Sequence, residues 1–126
     1  MTKVCRGDVI LIRFDPAVGS EIRKTRPAIV VSNAAACRFD SVLQVVPLTG
    51  LPGRDLRPYE ARIQSPGSGL KNPSRAVTNQ IRTVSRGRIA KRLGQISTGE
   101  RDLLDRALGI QLGLPMTDPG HRSAAP

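Results

Sequence analysis

Two apolar stretches near the N-terminus, residues 8–14 (DVILIRF) and residues 28–32 (AIVVS), determine how this chain of 126 residues folds. The first is short, rich in β-branched side chains and followed by an Asp-Pro pair, which predicts a strand. The second is almost entirely apolar and predicts a central strand buried on both faces, with Pro27 at its start. The polar residues 17–25 between them indicate a loop.

Further short elements follow the same logic along the chain. Alternating or apolar runs bounded by turn residues predict strands at 42–48, 59–63, 76–83 and 93–96. The intervening residues predict a connection with a helical turn at 33–40, an exposed loop at 64–74 and a short turn or 3₁₀ segment at 86–91.

One α-helix is predicted near the C-terminus. Ser97 and Glu100 form an S-x-x-E capping box, and apolar residues then recur at helical spacing until Gly113. We therefore predict one domain over residues 1–113 and a disordered tail over 114–126. Several short strands with one terminal helix indicate a mainly β fold, a small and strongly curved antiparallel sheet.

Charge indicates the kind of partner. Lys and Arg total 20 against 10 Asp and Glu, which gives a net charge of +10. Residues 61–99 contain eight cations and no acidic residue. Because cations that contact phosphates release condensed counterions, this distribution favours a polyanion partner. Only 2% of the residues are aromatic, which favours a groove that grips a nucleic-acid backbone over a platform that stacks bases.

Composition also excludes several classes of protein. No apolar stretch approaches the roughly 20 residues that span a bilayer, so no membrane association is expected. The N-terminus lacks the apolar segment of a secretory signal, and we expect a cytoplasmic protein. A single histidine and two cysteines cannot supply a standard zinc site within one subunit. We therefore expect no metal and no cofactor.

Five short motifs occur in a fixed order, and together they resemble the MazF/PemK family, toxins of toxin–antitoxin pairs that cut RNA. They are RGD at residues 6–8, GSE at 19–21, RPAIVV at 26–31, PLT at 47–49 and NQIRT at 79–83. The resemblance runs from about residue 6 to about residue 112. It implies a small SH3-like barrel of curved antiparallel strands with a C-terminal helix, as in CcdB and MazF toxins, generally paired as a homodimer.

RNA cleavage without a metal sets requirements that few residues here can meet. A group must take the 2′-hydroxyl proton, charge on the phosphorane must be stabilised, and the departing 5′-oxygen needs a proton. The only histidine, His121, lies in the predicted tail. Arg26 follows a loop and precedes a buried strand, so a permanently charged guanidinium is held there to stabilise charge. It could also donate the proton to the leaving oxygen.

The family resemblance assigns roles to particular residues. Arg26 and Thr49 match the family's catalytic pair, with the Thr49 hydroxyl as a donor to a phosphate oxygen. Glu21 is the nearest carboxylate in the motif and either accepts the 2′ proton or positions Arg26. Four further residues are predicted to bind RNA: Lys24, Ser74, Gln80 and Arg82.

The leading hypothesis is therefore a metal-independent endoribonuclease toxin that cuts single-stranded RNA at a short sequence. Transesterification would leave a 2′,3′-cyclic phosphate, and an acidic antitoxin protein is the expected partner. Two alternatives remain open at this point. One is a poison of DNA gyrase without enzymatic activity, as in the related CcdB toxins. The other is a basic RNA-binding module without catalysis.

Overall fold

The computed structural model describes residues 3–14 and 24–116, which form seven strands, two α-helices and three 3₁₀ turns. The strands are β1 Asp8–Arg13, β2 Thr25–Val30, β3 Val42–Gly50, β4 Glu60–Ile63, β5 Ser74–Val77, β6 Arg82–Ser85 and β7 Ile89–Gln95. The helices are α1 Ala34–Phe39 and α2 Thr98–Leu112, and the 3₁₀ turns are Pro66–Ser68, Thr78–Gln80 and Arg86–Arg88.

All strand pairs are antiparallel, and the strands follow the order β4-β5-β3-β2-β1-β7. The strand β6 pairs with the first half of β3, while β5 pairs with its last residues, so β3 carries two partners along one edge. Two register shifts between β1 and β7 bend the sheet at that side. The predicted curved antiparallel sheet with a C-terminal helix is confirmed. No pairing among the described strands joins β4 to β7, so the sheet stays open.

The central strands are buried on both faces, as their apolar sequence predicted. Val9, Ile29 and Val46 point to one core, which α2 covers with its apolar side. The alternate residues Ile10 and Val45 point to a second core on the other face, which contains Cys37 of α1 as well as Phe14. Alternation along β1, β2 and β3 thus supplies two hydrophobic clusters from the same strands.

The predicted strand at 76–83 is wrong, because the chain leaves the sheet in the middle of this segment. Thr78 is fully buried, and its hydroxyl donates a hydrogen bond to the carbonyl oxygen of Tyr59. The amide of Ile81 then donates to the carbonyl oxygen of Thr78 at 3.1 Å, which closes the 3₁₀ turn. Two strands on either side of this turn, β5 and β6, replace the single strand.

The helix α2 begins and ends as predicted. Ser97 is its N-cap and accepts a hydrogen bond from the amide of Glu100, whose carboxylate in turn accepts from the amide of Ser97. Gly113 ends the helix in a left-handed conformation with a φ of 67°. No helix within residues 3–14 and 24–116 is long and apolar enough to cross a bilayer. Most of the predicted tail, from residue 117 onward, lies outside the described residues.

The short helix α1 is held at its C-terminus by a buried arginine. Arg86 is 5% exposed, and its guanidinium donates to the carbonyl oxygens of Cys37 at 2.7 Å and of Asp40 at 2.8 Å. A longer contact of 3.3 Å reaches the carbonyl oxygen of Ala36. The cation therefore satisfies carbonyl groups that a helix end leaves without partners.

We predict that Arg86→Met lowers the free energy of unfolding by about 2–3 kcal/mol, because the buried carbonyl oxygens lose a charged donor. Urea denaturation followed by circular dichroism measures the change. Arg106→Met, at an exposed position of α2, is the matched control and should change stability by less than about 0.5 kcal/mol. Equal unfolding midpoints for the two variants would contradict this role of Arg86.

Candidate active site

The predicted catalytic residues lie just beyond the end of the ladder between the two central strands. Ala28 of β2 and Pro47 of β3 are the last pair of this ladder. Arg26 and Thr49 each lie two residues further along their own strand. Because side chains alternate along a strand, they project from the same side of the sheet as Ala28 and Pro47. Arg26 is exposed and Thr49 is half-buried, so both can be reached from solvent.

Both residues line a groove of about 460 Å³ at the ends of the central strands. Strands β1, β2, β3 and β7 provide one side of it, and the segment from Gly69 to Ser74 provides the other. Its described lining contains three cations, Arg26, Lys71 and Lys91, and no acidic residue. Four leucines form its apolar part: Leu11, Leu48, Leu70 and Leu93. The groove therefore combines positive charge with an apolar floor.

A buried carboxylate fixes the chain just before the segment that forms the second side of this groove. The side chain of Glu100 accepts hydrogen bonds from the amides of Gln64 at 2.7 Å and Ser65 at 3.0 Å, and from the Ser65 hydroxyl at 2.5 Å. It also closes the capping box of α2 through Ser97. Burial raises the pKa of this carboxyl, but the hydrogen bonds from Ser65, Ser97 and Gln64 outweigh burial and hold its pKa below the usual value.

Close backbone contacts fix the same segment against β7. A side chain at Gly69, where φ is +75°, would overlap the carbonyl group of Leu93. A side chain at Gly94 would overlap the carbonyl oxygen of Gly67. Ser68 is 1% exposed and donates a hydrogen bond to the carbonyl oxygen of Ser65 at 2.8 Å. Most residues of the exposed loop predicted at 64–74 are exposed, and these contacts hold its middle, with the buried Ser68, against β7.

A second buried carboxylate orders the chain next to the groove. Glu60 is bound by Arg54 through two contacts of 2.8 and 3.2 Å and accepts from the amide of Arg57 at 2.7 Å. The guanidinium of Arg75, which is the β5 partner of Thr49, approaches it to 3.1 Å in an ion pair. The hydrogen bond from Arg54, opposed by burial and supported by Arg57 and Arg75, lowers the pKa of Glu60. Glu60 thus neutralises Arg54 and one arginine of the acid-poor region, Arg75.

The structure divides the predicted RNA-binding residues between different places. Ser74 lines the groove with Arg26 and Thr49, and its hydroxyl donates to the carbonyl oxygen of Asn72 at 3.0 Å. Gln80 ends a 3₁₀ turn and does not line the groove. Arg82 pairs with Val45, four residues along β3 from Thr49 and thus about 13 Å away along the strand. Its guanidinium lies over the Phe14 ring at 4.8 Å.

The remaining predicted residues lie around the start of β2. Lys24 is exposed and adopts a left-handed backbone with a φ of 66°, and its carbonyl oxygen accepts from the amide of Phe14 at 2.9 Å. Glu21 and most of the loop predicted at 17–25 lie outside the described residues. No group of three or more His, Cys, Asp or Glu side chains able to hold a metal occurs within 3–14 and 24–116.

Sequence reasoning missed Lys71, Asn72 and Lys91, which all line the groove. Neither lysine belongs to a recognisable motif, and they are separated by 20 residues of sequence. The only signal that pointed to them was the run of cations without an acidic residue at 61–99.

Two solved structures illustrate how widely this architecture matches known proteins. Crystalline MazF from Deinococcus radiodurans superimposes with a TM-score of 0.76 and is 23% identical, covering 90% of this chain and 100% of that one. A mycobacterial endoribonuclease in complex with its cognate antitoxin superimposes with a TM-score of 0.73 at 22% identity, covering 90% of this chain and 99% of that one. These likenesses establish the fold.

Sequence comparison establishes the family. Residues 5–112 match the family of PemK-like, MazF-like toxins of type II toxin–antitoxin systems. The endoribonuclease MazF9 of Mycobacterium tuberculosis is 35% identical over 114 residues, which cover 86% of this chain and 96% of that protein. The chain therefore belongs to the PemK-like, MazF-like toxin family.

We predict that Glu100→Gln lowers the free energy of unfolding by about 1–3 kcal/mol near neutral pH, because an amide cannot accept the same set of hydrogen bonds. A carboxyl with a lowered folded-state pKa stabilises the fold above its unfolded pKa of about 4.3. This contribution is lost as the pH falls through the folded-state pKa. The difference between wild type and variant should therefore shrink below about pH 4.

Urea unfolding midpoints measured from acidic to neutral pH test this prediction. Asp102→Asn is the matched control, because Asp102 is an exposed carboxylate on the same helix. Coincident pH profiles for the two variants would show that Glu100 does not hold the groove segment.

Proposed function

We propose that this toxin is an endoribonuclease that cleaves single-stranded RNA at a short sequence, using the 2′-hydroxyl next to the scissile phosphate as the nucleophile. The single observation that carries this proposal is that Arg26 and Thr49 line one cationic groove whose described lining has no acidic residue. The name of the relative that is 35% identical, an endoribonuclease, supports the same activity.

The proposed reaction is an internal transesterification. The 2′-oxygen attacks phosphorus, the bond from phosphorus to the 5′-oxygen breaks, and the products carry a 2′,3′-cyclic phosphate and a 5′-hydroxyl. The guanidinium of Arg26 would stabilise the negative charge that develops on the phosphorane. The Thr49 hydroxyl would donate a hydrogen bond to a non-bridging oxygen. Fixed donors of this kind are effective because they need no rearrangement during the reaction.

Two proton transfers complete the reaction. The 2′-hydroxyl must lose its proton, and we assign this step to Glu21, the carboxylate nearest to Arg26 in the sequence motif. The 5′-oxygen must gain a proton as it departs, and we assign this step to Arg26. The positive charge of Arg26 takes the place that a divalent cation occupies in metal-dependent phosphoryl transfer. The reaction as proposed therefore needs no metal and no cofactor.

Protein partners follow from the same charge distribution. We propose that an acidic antitoxin segment competes with RNA for the cationic groove, because both are polyanionic and flexible. A mycobacterial relative of the same fold has been solved with its cognate antitoxin. We also propose a homodimer, since apolar side chains such as Phe39 at the end of α1, Val42 at the start of β3 and Leu103 on α2 are exposed in one subunit. We propose that the toxin acts in the cytoplasm, because its proposed substrate is cellular RNA.

We predict that the purified protein cleaves a long RNA at discrete sites in excess EDTA. Arg26→Ala should lower the cleavage rate by about 100- to 1000-fold, and Thr49→Ala by about 100-fold, because each removes a donor to the developing charge. Cleavage is followed by gel electrophoresis and by primer extension across the cut sites.

Arg106→Ala serves as the control, because Arg106 is an exposed arginine on α2 that does not line the groove. It should cleave at the wild-type rate. Circular dichroism confirms that all variants are folded. Intact RNA with retained binding would favour an inert RNA-binding module instead, and inhibition of DNA gyrase would favour a gyrase poison.

A second prediction follows from the nucleophile. A 2′-methoxy RNA or a DNA of the cleaved sequence should bind and remain intact, because neither has a 2′-hydroxyl that can attack phosphorus. Binding is measured by fluorescence anisotropy and cleavage by mass spectrometry, which should also detect a 2′,3′-cyclic phosphate from the unmodified RNA. Cleavage of the 2′-methoxy strand would contradict the mechanism.

A further inference from the structure

We propose that Lys71 and Lys91 form a phosphate clamp beside the scissile bond, which holds a neighbouring phosphodiester of the RNA strand. This inference rests on the proposed function for the identity of the polyanion. It adds two binding residues to the site, neither of which belongs to the motifs that indicated the family.

The first support is the position of the two lysines. Both are exposed and both line the groove that Arg26 and Thr49 also line. Lys91 is the β7 partner of Leu11, and Leu11 is also the partner of Pro27 in β2. Lys91, Leu11 and Pro27 therefore project from one face of the sheet. Arg26, next to Pro27, projects from the opposite face.

The alternation of side chains along the strands therefore places Arg26 on one face of the sheet and Lys91 on the other. Two successive phosphates of one strand that passes the start of β2 could then contact the two sides, one at Arg26 and Thr49 and the next at Lys91. The arrangement thus fits an extended single strand, whose successive phosphates are separated by a ribose.

The second support is that the lysine charges are not neutralised. Acidic side chains form ion pairs with other cations of the protein. Asp105 pairs with Arg6, Asp8 pairs with Arg92, and Glu60 pairs with two arginines. Among the residues that the structure describes, neither Lys71 nor Lys91 has an ion pair or a side-chain hydrogen bond. Positive charge in a concave site without acidic lining attracts phosphate groups.

The third support is that the backbone carrying Lys71 is held in place before any ligand binds. Hydrogen bonds to Glu100 and the close contact of Gly69 with Leu93 fix the segment just before it. A preorganised site loses less conformational entropy on binding than a flexible one. The half-buried side chains of Leu70 and Leu93 lie beside the lysines and offer an apolar surface to a ribose or a base.

The experiment measures binding of a short, fluorescein-labelled 2′-methoxy RNA to the full-length protein as a function of salt concentration. Each lysine that contacts a phosphate contributes about 0.7 to the slope of log K against log salt for a single strand. Lys71→Ala and Lys91→Ala should each reduce this slope by about that amount and raise the Kd about tenfold at low salt. The Lys→Arg variants at the same positions should restore both values.

Lys3→Ala is the matched control, because Lys3 is an exposed lysine that lines a different cavity. It should bind with the wild-type slope. Wild-type slopes and affinities for both Lys71→Ala and Lys91→Ala would overturn the clamp, even if the enzyme cleaves RNA as proposed. If the wild type binds with the lysine-dependent slope but cleaves no RNA, the clamp stands and the proposed nuclease activity fails.

Discussion

The burial of β2 and β3 on both faces is the constraint on which the rest of the molecule depends. Ile29 and Val46 belong to one core, and Val30 and Val45 to the other. A shift of the register by one residue would exchange the two faces of a strand and expose or misplace every one of these side chains. The register is therefore fixed by packing. This fixed register sets where Arg26 and Thr49 lie beyond the end of the ladder, at one groove.

The charged residues of the described region differ in what they contact. Several carboxylates of the described region hold cations: Glu60 binds Arg54 and Arg75, and Asp8 binds Arg92. The guanidinium of the buried Arg86 donates hydrogen bonds to carbonyl oxygens at the C-terminus of α1. Lys71 and Lys91 of the groove have no acidic partner among the described residues, which leaves their charge available to an anion. The structural arginines and the groove lysines can thus be separated by what they contact.

Local sequence signals predicted the elements well wherever one periodicity governed a whole segment. The helix from Ser97 to Gly113 and the strands at 8–14 and 42–48 are of this kind. The segment 76–83 misled the prediction because the buried hydroxyl of Thr78 satisfies a carbonyl group of Tyr59, a contact between residues 19 positions apart. A contact between residues so far apart in the sequence cannot be predicted from the alternation of polar and apolar residues within the segment.

For the site, the family resemblance predicted Arg26, Thr49 and Ser74, all of which line one groove. The same resemblance grouped Gln80 and Arg82 with them. Gln80 ends a 3₁₀ turn and Arg82 begins β6, and both positions depend on β3 pairing with β6 along its first half and with β5 at its last residues. Lys71 and Lys91 could not be found in this way, because only the pairing of β1 with β7 and the packing of Gly69 on Leu93 bring them together.

The double use of the Glu100 carboxylate has a consequence for how this toxin moves. The same side chain closes the first turn of α2 and ties down the amides of residues 64 and 65. Helix start and groove wall are thereby joined into one cooperative unit, or foldon, which opens as a whole. Amide protons in both regions would then exchange with solvent at a common rate. A toxin molecule in which the first turn of α2 has unfolded would also have a distorted groove. Such partly unfolded molecules would be inactive.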